Sequence, residues 1–108
     1  MTMSMCETTE LRIYTLPSAA AVRDYTLSFW PRHIASLRKY GITVHGVWVD
    51  VDPARHCVLV LIGYPPDADP VLAAEKYRAS SDFIDDHAGF DMSLVSRTEV
   101  ATPVAGTT

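Results

Sequence analysis

One nine-residue run constrains the fold of this chain more than any other feature. Residues 56–64 (HCVLVLIGY) are apolar at nearly every position, so a strand formed here has no polar face to turn toward water. Runs of this kind are typical of strands covered on both faces. Pro65 and Pro66 end the run, because proline cannot donate to a strand ladder. The chain therefore has to place other structure on both sides of this strand.

Three further segments alternate with the period of two that is expected of strands. In the first of them, Leu11, Ile13 and Thr15 share one face. In the second, we expect Val44, Gly46, Trp48 and Asp50 on one face and His45 on the other, toward the helices. The segments are residues 10–16 (ELRIYTL), 42–51 (ITVHGVWVDV) and 92–100 (MSLVSRTEV).

The remaining patterns predict helices. Residues 19–40 form one long helix after the N-cap Ser18, and its buried stripe contains Phe29, His33 and Leu37 at helical spacing. Pro31 lies inside it and removes one backbone hydrogen bond, so we expect a kink just before it. A second helix is predicted from Asp69-Pro70 to about Ser80, and a single helical turn over residues 82–87.

The resulting order, βαββαβ, predicts an α+β, ferredoxin-like fold: a four-stranded antiparallel sheet with two helices on one face. We expect one domain over residues 10–101, with flexible tails at 1–9 and 102–108. The other face of the sheet would expose a large apolar patch, which soluble monomers avoid. The patterning therefore predicts a homodimer, in which two sheets pack face to face.

Composition excludes several classes of protein. The 108 residues suffice for one domain only, and the net charge of −4 without a basic run argues against a nucleic acid partner. Cys6 and Cys57 form no metal motif, although one disulfide stays possible. The start has no signal peptide pattern and no apolar run approaches a membrane span, so we expect a cytoplasmic protein without membrane contacts.

Several of these segments resemble the NIPSNAP-like proteins of the dimeric α+β barrel superfamily. The resemblance rests on ELRIYTL, FWPRH, YGITVHGVWVD and VLVLIGY, and RASSDF is similar to the end of the second helix in that family. It covers residues 10 to about 100, although Val60 occupies a position that is often polar in the family. The resemblance implies a dimeric α+β barrel with a ligand cavity, and it leaves the reaction open.

Three residues are candidates for catalysis. His33 lies at the centre of an apolar stripe, where an imidazole needs either a structural partner or a reason to titrate. Tyr14 shares a strand face with Glu10 and Arg12, which we expect to point away from the helices; in the resembled fold that face lines the cavity. His87 follows two aspartates, and the resemblance to polyketide cyclases implies a catalytic role for it. The alternatives are a structural His33, a solvated turn at His87 and a plain Glu10–Arg12 ion pair.

A second group of residues is predicted to bind the substrate. Trp48 is expected to share the cavity with Tyr14, or else to belong to the core of the dimer. Arg12 would bind a carboxylate or an enolate, and aromatic rings suit an apolar ligand. The predicted substrate-binding residues are Arg12, Phe29, Trp30, Trp48, Tyr64 and Phe83.

These residues favour a small enzyme of secondary or catabolic metabolism that uses no cofactor. It would promote cyclisation, isomerisation or elimination on an apolar or aromatic carbonyl compound by proton transfer. We expect no metal, because the four histidines lack the spacing of a local metal motif. A cofactor-independent monooxygenase ranks lower, because members of that kind use an asparagine and this chain contains none. A non-catalytic dimeric binding protein is the third possibility.

Overall fold

The computed structural model describes residues 8–102. The first strand begins at Thr8, so the expected N-terminal tail is wrong for residues 8 and 9. The tails predicted over 1–7 and 103–108, with Cys6, lie outside the described residues. The elements are β1 (Thr8–Thr15), α1 (Ala19–Asp24), a π-helical segment (Tyr25–Phe29), α2 (Trp30–Arg38), β2 (Thr43–Val49), β3 (Cys57–Tyr64), α3 (Pro70–Arg78), α4 (Ser81–Ala88), a 3₁₀ turn (Met92–Leu94) and β4 (Arg97–Ala101).

The four strands form one antiparallel sheet in the order β2-β3-β1-β4. This is the predicted α+β, ferredoxin-like arrangement. The apolar strand β3 lies between β2 and β1, where a strand without a polar face is most easily accommodated. Val58, Val60 and Ile62 on its helix-facing side are almost completely buried.

The helices cover the face of β1 that carries Glu10, Arg12 and Tyr14, so the expectation that these residues point away from the helices is wrong. Tyr14 is paired with Val58 and packs edge-on against the ring of Tyr25. The alternation of β1 defines two faces but does not say which of them is covered. That choice is made by the aromatic side chains that the first helix presents.

Strand β2 contains a bulge that the simple alternation did not predict. Val44 is paired with Ile62, and Gly46 with the residue that precedes Ile62 in β3, so His45 is the extra residue. The bulge places Val44 on the face toward the helices, and Gly46 and Trp48 on the opposite one, so grouping Val44 with them was wrong. The indole of Trp48 lies directly over Gly46, where any β-carbon would collide with the ring.

The first helix is continuous but changes its hydrogen-bonding pattern before Pro31, where a kink was predicted. Over Tyr25–Phe29 it is π-helical, and the N–H of Trp30 donates to the carbonyl of Tyr25. Pro31 has no N–H to close the usual turn, so the wider turn precedes it. Gly41 follows the C-terminus of α2 with a φ of 78°, a left-handed conformation that favours glycine.

The second helical region is longer than predicted, and β4 is shorter. Ser80 caps α4, which extends over two turns rather than one. Residues 92–94 form a 3₁₀ turn that is capped by Asp91. The Asp91 carboxylate accepts from the N–H of Ser93 at 3.1 Å. This local hydrogen bond competes with a sheet ladder, which explains why the strand starts only at Arg97.

The helix-free face of the sheet is apolar at its centre. Leu59 on β3 faces the same side as its pairing partners Ile13 on β1 and Trp48 on β2. Trp48 is 51% exposed. This surface, formed by Leu11, Ile13, Trp48, Leu59 and Leu61, is called the open face below.

Candidate functional site

A cavity of about 170 Å³ lies between the sheet and the helices. Strand β1 contributes Arg12 and Tyr14 from its helix-facing side, and the first helix contributes Phe29 and His33 one turn apart. The lining combines aromatic and aliphatic side chains with several polar groups, which is typical of small-molecule sites. The lining residues are Arg12, Tyr14, Tyr25, Phe29, His33, Leu37, Ile42, Ile62, Tyr64, Ala74, Tyr77, Arg78, Phe83, His87 and Met92.

His33 is held by a buried polar cluster formed with α3 and α4. Its Nδ1 atom lies 2.9 Å from the hydroxyl of Tyr77 and 3.3 Å from Oδ2 of Asp86. The Asp86 carboxylate is 1% exposed and accepts from Tyr77 at 2.7 Å and from the hydroxyl of Ser36 at 2.9 Å. A buried carboxylate of this kind is stable only with such donors. The hydroxyl beside His33 therefore belongs to Tyr77, and not to Tyr14.

The charge state of His33 follows from its burial. Desolvation lowers the pKa of His33 from 6.5 to about 4, against the opposing attraction of the Asp86 carboxylate. The imidazole is therefore neutral at pH 7 and has a free lone pair on one nitrogen. A neutral imidazole held by a carboxylate is the form in which histidine accepts a proton.

His87 is the second imidazole in the cavity. Its Nδ1 lies 2.7 Å from the backbone carbonyl of Phe83, one turn earlier in α4. Because a carbonyl only accepts, Nδ1 carries the proton and donates. The centroid of the His87 ring lies 4.1 Å from that of Phe83 and 6.3 Å from that of His33. The two histidines are thus close enough to contact one bound molecule.

A third polar group surrounds Arg12. Its guanidinium lies 3.0 Å from the Glu10 carboxylate, which is the predicted ion pair, and donates to the Tyr64 hydroxyl at 3.2 Å. Burial raises the pKa of Tyr14, while the positive charge of Arg12 lowers it by a smaller amount. Tyr14 consequently keeps its proton at neutral pH and is able to donate a hydrogen bond.

The structure brings most of the predicted site residues together. Trp30 lies instead in the core, where its ring packs against those of Tyr14 and His33. Trp48 is on the open face, so the prediction that it shares a cavity with Tyr14 is wrong. Trp48 is on the expected helix-free face, but Tyr14 is on the helix side of β1, so the two rings lie on opposite sides of the sheet. The predicted residues that line the cavity are Arg12, Tyr14, Phe29, His33, Tyr64, Phe83 and His87.

Three residues of the cluster were missed from sequence: Ser36, Tyr77 and Asp86. Asp86 was interpreted only as a polar neighbour of His87. A signal was present, because Phe83, Asp86 and Phe90 follow each other at three and four residues, the spacing of one helical face. An interpretation of residues 82–87 as a single turn concealed this spacing.

Residues 8–102 lack two further kinds of feature. No group of three histidine, cysteine or acidic residues there is arranged to hold a metal ion. None of the helices in that range is long and apolar enough to cross a membrane. Cys57, the one cysteine in the described part of the chain, is buried and unpaired.

Comparison with known proteins gives the fold a name. No protein-family model matches the chain, and no curated protein matches it. Solved structures do match over almost the whole chain. The fold is that of NIPSNAP-domain proteins.

Two NIPSNAP structures, both from Burkholderia xenovorans and both described as uncharacterized, illustrate the likeness. One has a TM-score of 0.74 at 15% identity and covers 93% of this chain and 95% of its own. The other has a TM-score of 0.74 at 22% identity, with coverage of 94% and 89%. A dimeric ferredoxin-like protein from an uncultured marine organism has a TM-score of 0.60 at 10% identity, with coverage of 97% and 94%. At these identities the NIPSNAP likeness concerns the fold.

Proposed function

We propose that this protein is a small cofactor-free enzyme that transfers protons on an apolar or aromatic carbonyl compound. The observation that carries the proposal is the convergence of His33, His87 and Tyr14 in one cavity with aromatic and aliphatic walls. Aromatic walls fit a planar apolar ligand, and the polar groups fit the oxygen and the acidic C–H of a carbonyl compound.

The chemistry assigned to the cavity is removal of a proton next to a carbonyl group. The neutral imidazole of His33 takes the proton from carbon, and the electrons of the C–H bond move onto the carbonyl oxygen. Tyr14 donates a hydrogen bond to this developing oxyanion, and the charge of Arg12 stabilises it further. His87 is the proposed group that returns or removes a proton elsewhere on the ligand. The enolate then cyclises, isomerises or expels a leaving group.

A non-catalytic binding protein is the second candidate, and the composition of the cavity separates the two. A site that only binds an apolar molecule needs few polar groups, because each one buried without a partner costs free energy. This cavity instead includes two imidazoles, three phenols other than Tyr25 and two guanidinium groups. Their convergence supports the enzyme. The monooxygenase alternative has no specific support among the lining residues.

The proposal is tested by deuterium exchange. The protein in D₂O is mixed with a panel of aryl ketones and aryl β-keto acids, and loss of the α-proton signal is followed by NMR. We expect the parent to accelerate exchange of at least one compound and His33→Gln to abolish most of the acceleration. His56→Gln, a histidine outside the cavity, is the matched control. Equal exchange by the parent and His33→Gln would contradict the assignment.

We also propose that the protein is a homodimer that buries the open face. The supporting observations are the exposed indole of Trp48 and the apolar strip of β1 and β3 beside it. An apolar patch of this kind, on a sheet face that no helix covers, is usually an interface. The dimeric ferredoxin-like neighbour supports the same arrangement.

A further inference from the structure

We propose that Asp86 is a positioning residue that fixes the proton of His33 on Nδ1 and so leaves Nε2 to meet the ligand. This inference rests on the proposed function of His33 as a base. It adds which of the two nitrogens acts and which residue decides this. The argument depends on where each hydrogen of the buried cluster can go.

The Asp86 carboxylate determines the direction of two hydrogen bonds. It is only an acceptor, so the hydroxyls of Tyr77 and Ser36 have to donate to it, at 2.7 and 2.9 Å. Hydrogen bonds to a charged acceptor are stronger than those between neutral groups. The single hydroxyl proton of Tyr77 is therefore committed to Asp86.

This commitment turns the oxygen of Tyr77 into an acceptor toward His33. Nδ1 of His33 faces that oxygen at 2.9 Å and the Asp86 carboxylate at 3.3 Å, so both neighbours on this side accept. A proton on Nδ1 satisfies them. The opposite tautomer would place a lone pair against a carboxylate oxygen and remove one of its donors, which is costly because this carboxylate is buried.

Nε2 is then the only ring nitrogen of His33 that a ligand can use. His33 lines the cavity, and its Nδ1 is already hydrogen-bonded within the buried polar cluster. The groups that act on its charge are Asp86, Tyr77, His87 and Arg12. His87 reaches the same tautomer by another route, since the Phe83 carbonyl holds its Nδ1 proton. Only the tautomer of His33 should therefore depend on Asp86.

The test is the tautomer of His33, read from side-chain nitrogen-15 shifts. In the parent at pH 7 we expect Nδ1 in the range of a protonated ring nitrogen and Nε2 in that of an unprotonated one. In Asp86→Leu the hydroxyl of Tyr77 loses its acceptor and turns toward Nδ1. The two resonances of His33 should then exchange ranges, while those of His87 stay in place.

Three variants complete the experiment. Asp85→Leu, the exposed neighbour on the same helix, should leave the tautomer unchanged, as should Tyr77→Phe, because Asp86 still accepts from Nδ1. If Asp86→Leu does not fold, Asp86→Asn tests the inference in its place. There the neutral amide should move the Nδ1 proton resonance upfield and lower the pKa of His33. A proton that stays on Nδ1 in Asp86→Leu, or unchanged resonances in Asp86→Asn, would overturn the inference.

The result is independent of whether His33 is catalytic. Deuterium exchange tests the base, and the nitrogen shifts test the residue that orients it. If His33→Gln keeps full exchange activity while Asp86→Leu inverts the tautomer, the proposed function fails and the tautomer assignment stands. If the tautomer does not change while His33→Gln is inactive, the base stands and Asp86 is not its positioning residue.

Discussion

The buried imidazole of His33 makes the stability of the protein depend on pH. The pKa of His33 is 6.5 in the unfolded chain and about 4 in the fold. Between these two values the unfolded state binds a proton at His33 and the folded state does not. The contribution of the neutral imidazole to the free energy of unfolding is fully present above pH 6.5 and is lost as the pH falls toward 4. We expect this residue to account for at most about 3 kcal/mol of lost stability.

Urea unfolding at pH 7.5, 5.5 and 4.5 measures this effect. His33→Gln does not titrate, so its free energy of unfolding should decline less steeply than that of the parent between pH 6.5 and 4.5. Ionisable groups that do not interact with His33 contribute equally to both profiles and cancel in the comparison. Parallel pH profiles would show that His33 is not held neutral by burial.

The proposed catalytic role of Tyr14 and its role in packing can be tested separately. Tyr14→Phe keeps the ring that packs on Tyr25 and Trp30 and removes only the hydroxyl. We expect the free energy of unfolding to change by less than about 1 kcal/mol. Deuterium exchange should fall by roughly 100-fold, the usual loss when one oxyanion donor is removed. Exchange at the parental rate would remove Tyr14 from the mechanism.

At the scale of elements, the cap of α4 supports the helix that carries Asp86 and His87. The Ser80 hydroxyl donates to the carbonyl of Tyr77 at 2.6 Å and accepts from the N–H of Phe83 at 3.3 Å. Ser80→Ala should lower the free energy of unfolding by about 1 kcal/mol, and Ser80→Thr should retain most of it. The measurement is urea unfolding at pH 7.5, with the exposed Ser81→Ala as the matched control. A similar loss in both alanine variants would argue against the cap.

The first helix shows how a local irregularity serves the site. Pro31 predicts an interruption from sequence alone, because it lacks an N–H. The structure resolves the interruption as a π-helical segment over Tyr25–Phe29. Phe29 and His33, on either side of Pro31, both line the cavity. π-helical turns within α-helices are frequent at functional sites.

At the scale of the whole molecule, the proposed dimer is tested at the centre of the open face. Leu59→Glu places a charge between Ile13 and Trp48, its partners in the register. We expect light scattering at micromolar concentration to give twice the chain mass for the parent and the single chain mass for Leu59→Glu. Leu72→Glu, on the exposed surface of α3, should stay dimeric. A monomeric parent of native fold would contradict the proposal.

The order of the elements follows from the sequence, as does the need to cover both faces of β3. Alternation identifies strands, and the apolar stripe of the first helix identified His33, because both signals are local and depend only on backbone geometry. Seven of the fifteen residues that line the cavity were predicted as site residues. The sequence also predicted where the first helix would be interrupted, since proline acts on its own turn.

Tertiary packing sets which face of each strand meets the helices and which distant groups pair. A period of two is unchanged when the two faces are exchanged, so β1 was assigned backwards, and one extra residue at His45 separated Val44 from Trp48. Asp86 and His33 are 53 residues apart, and no local pattern couples them. Their contact exists because α2 and α4 pack side by side, so the residue that we propose to position the base is set by packing rather than by sequence spacing.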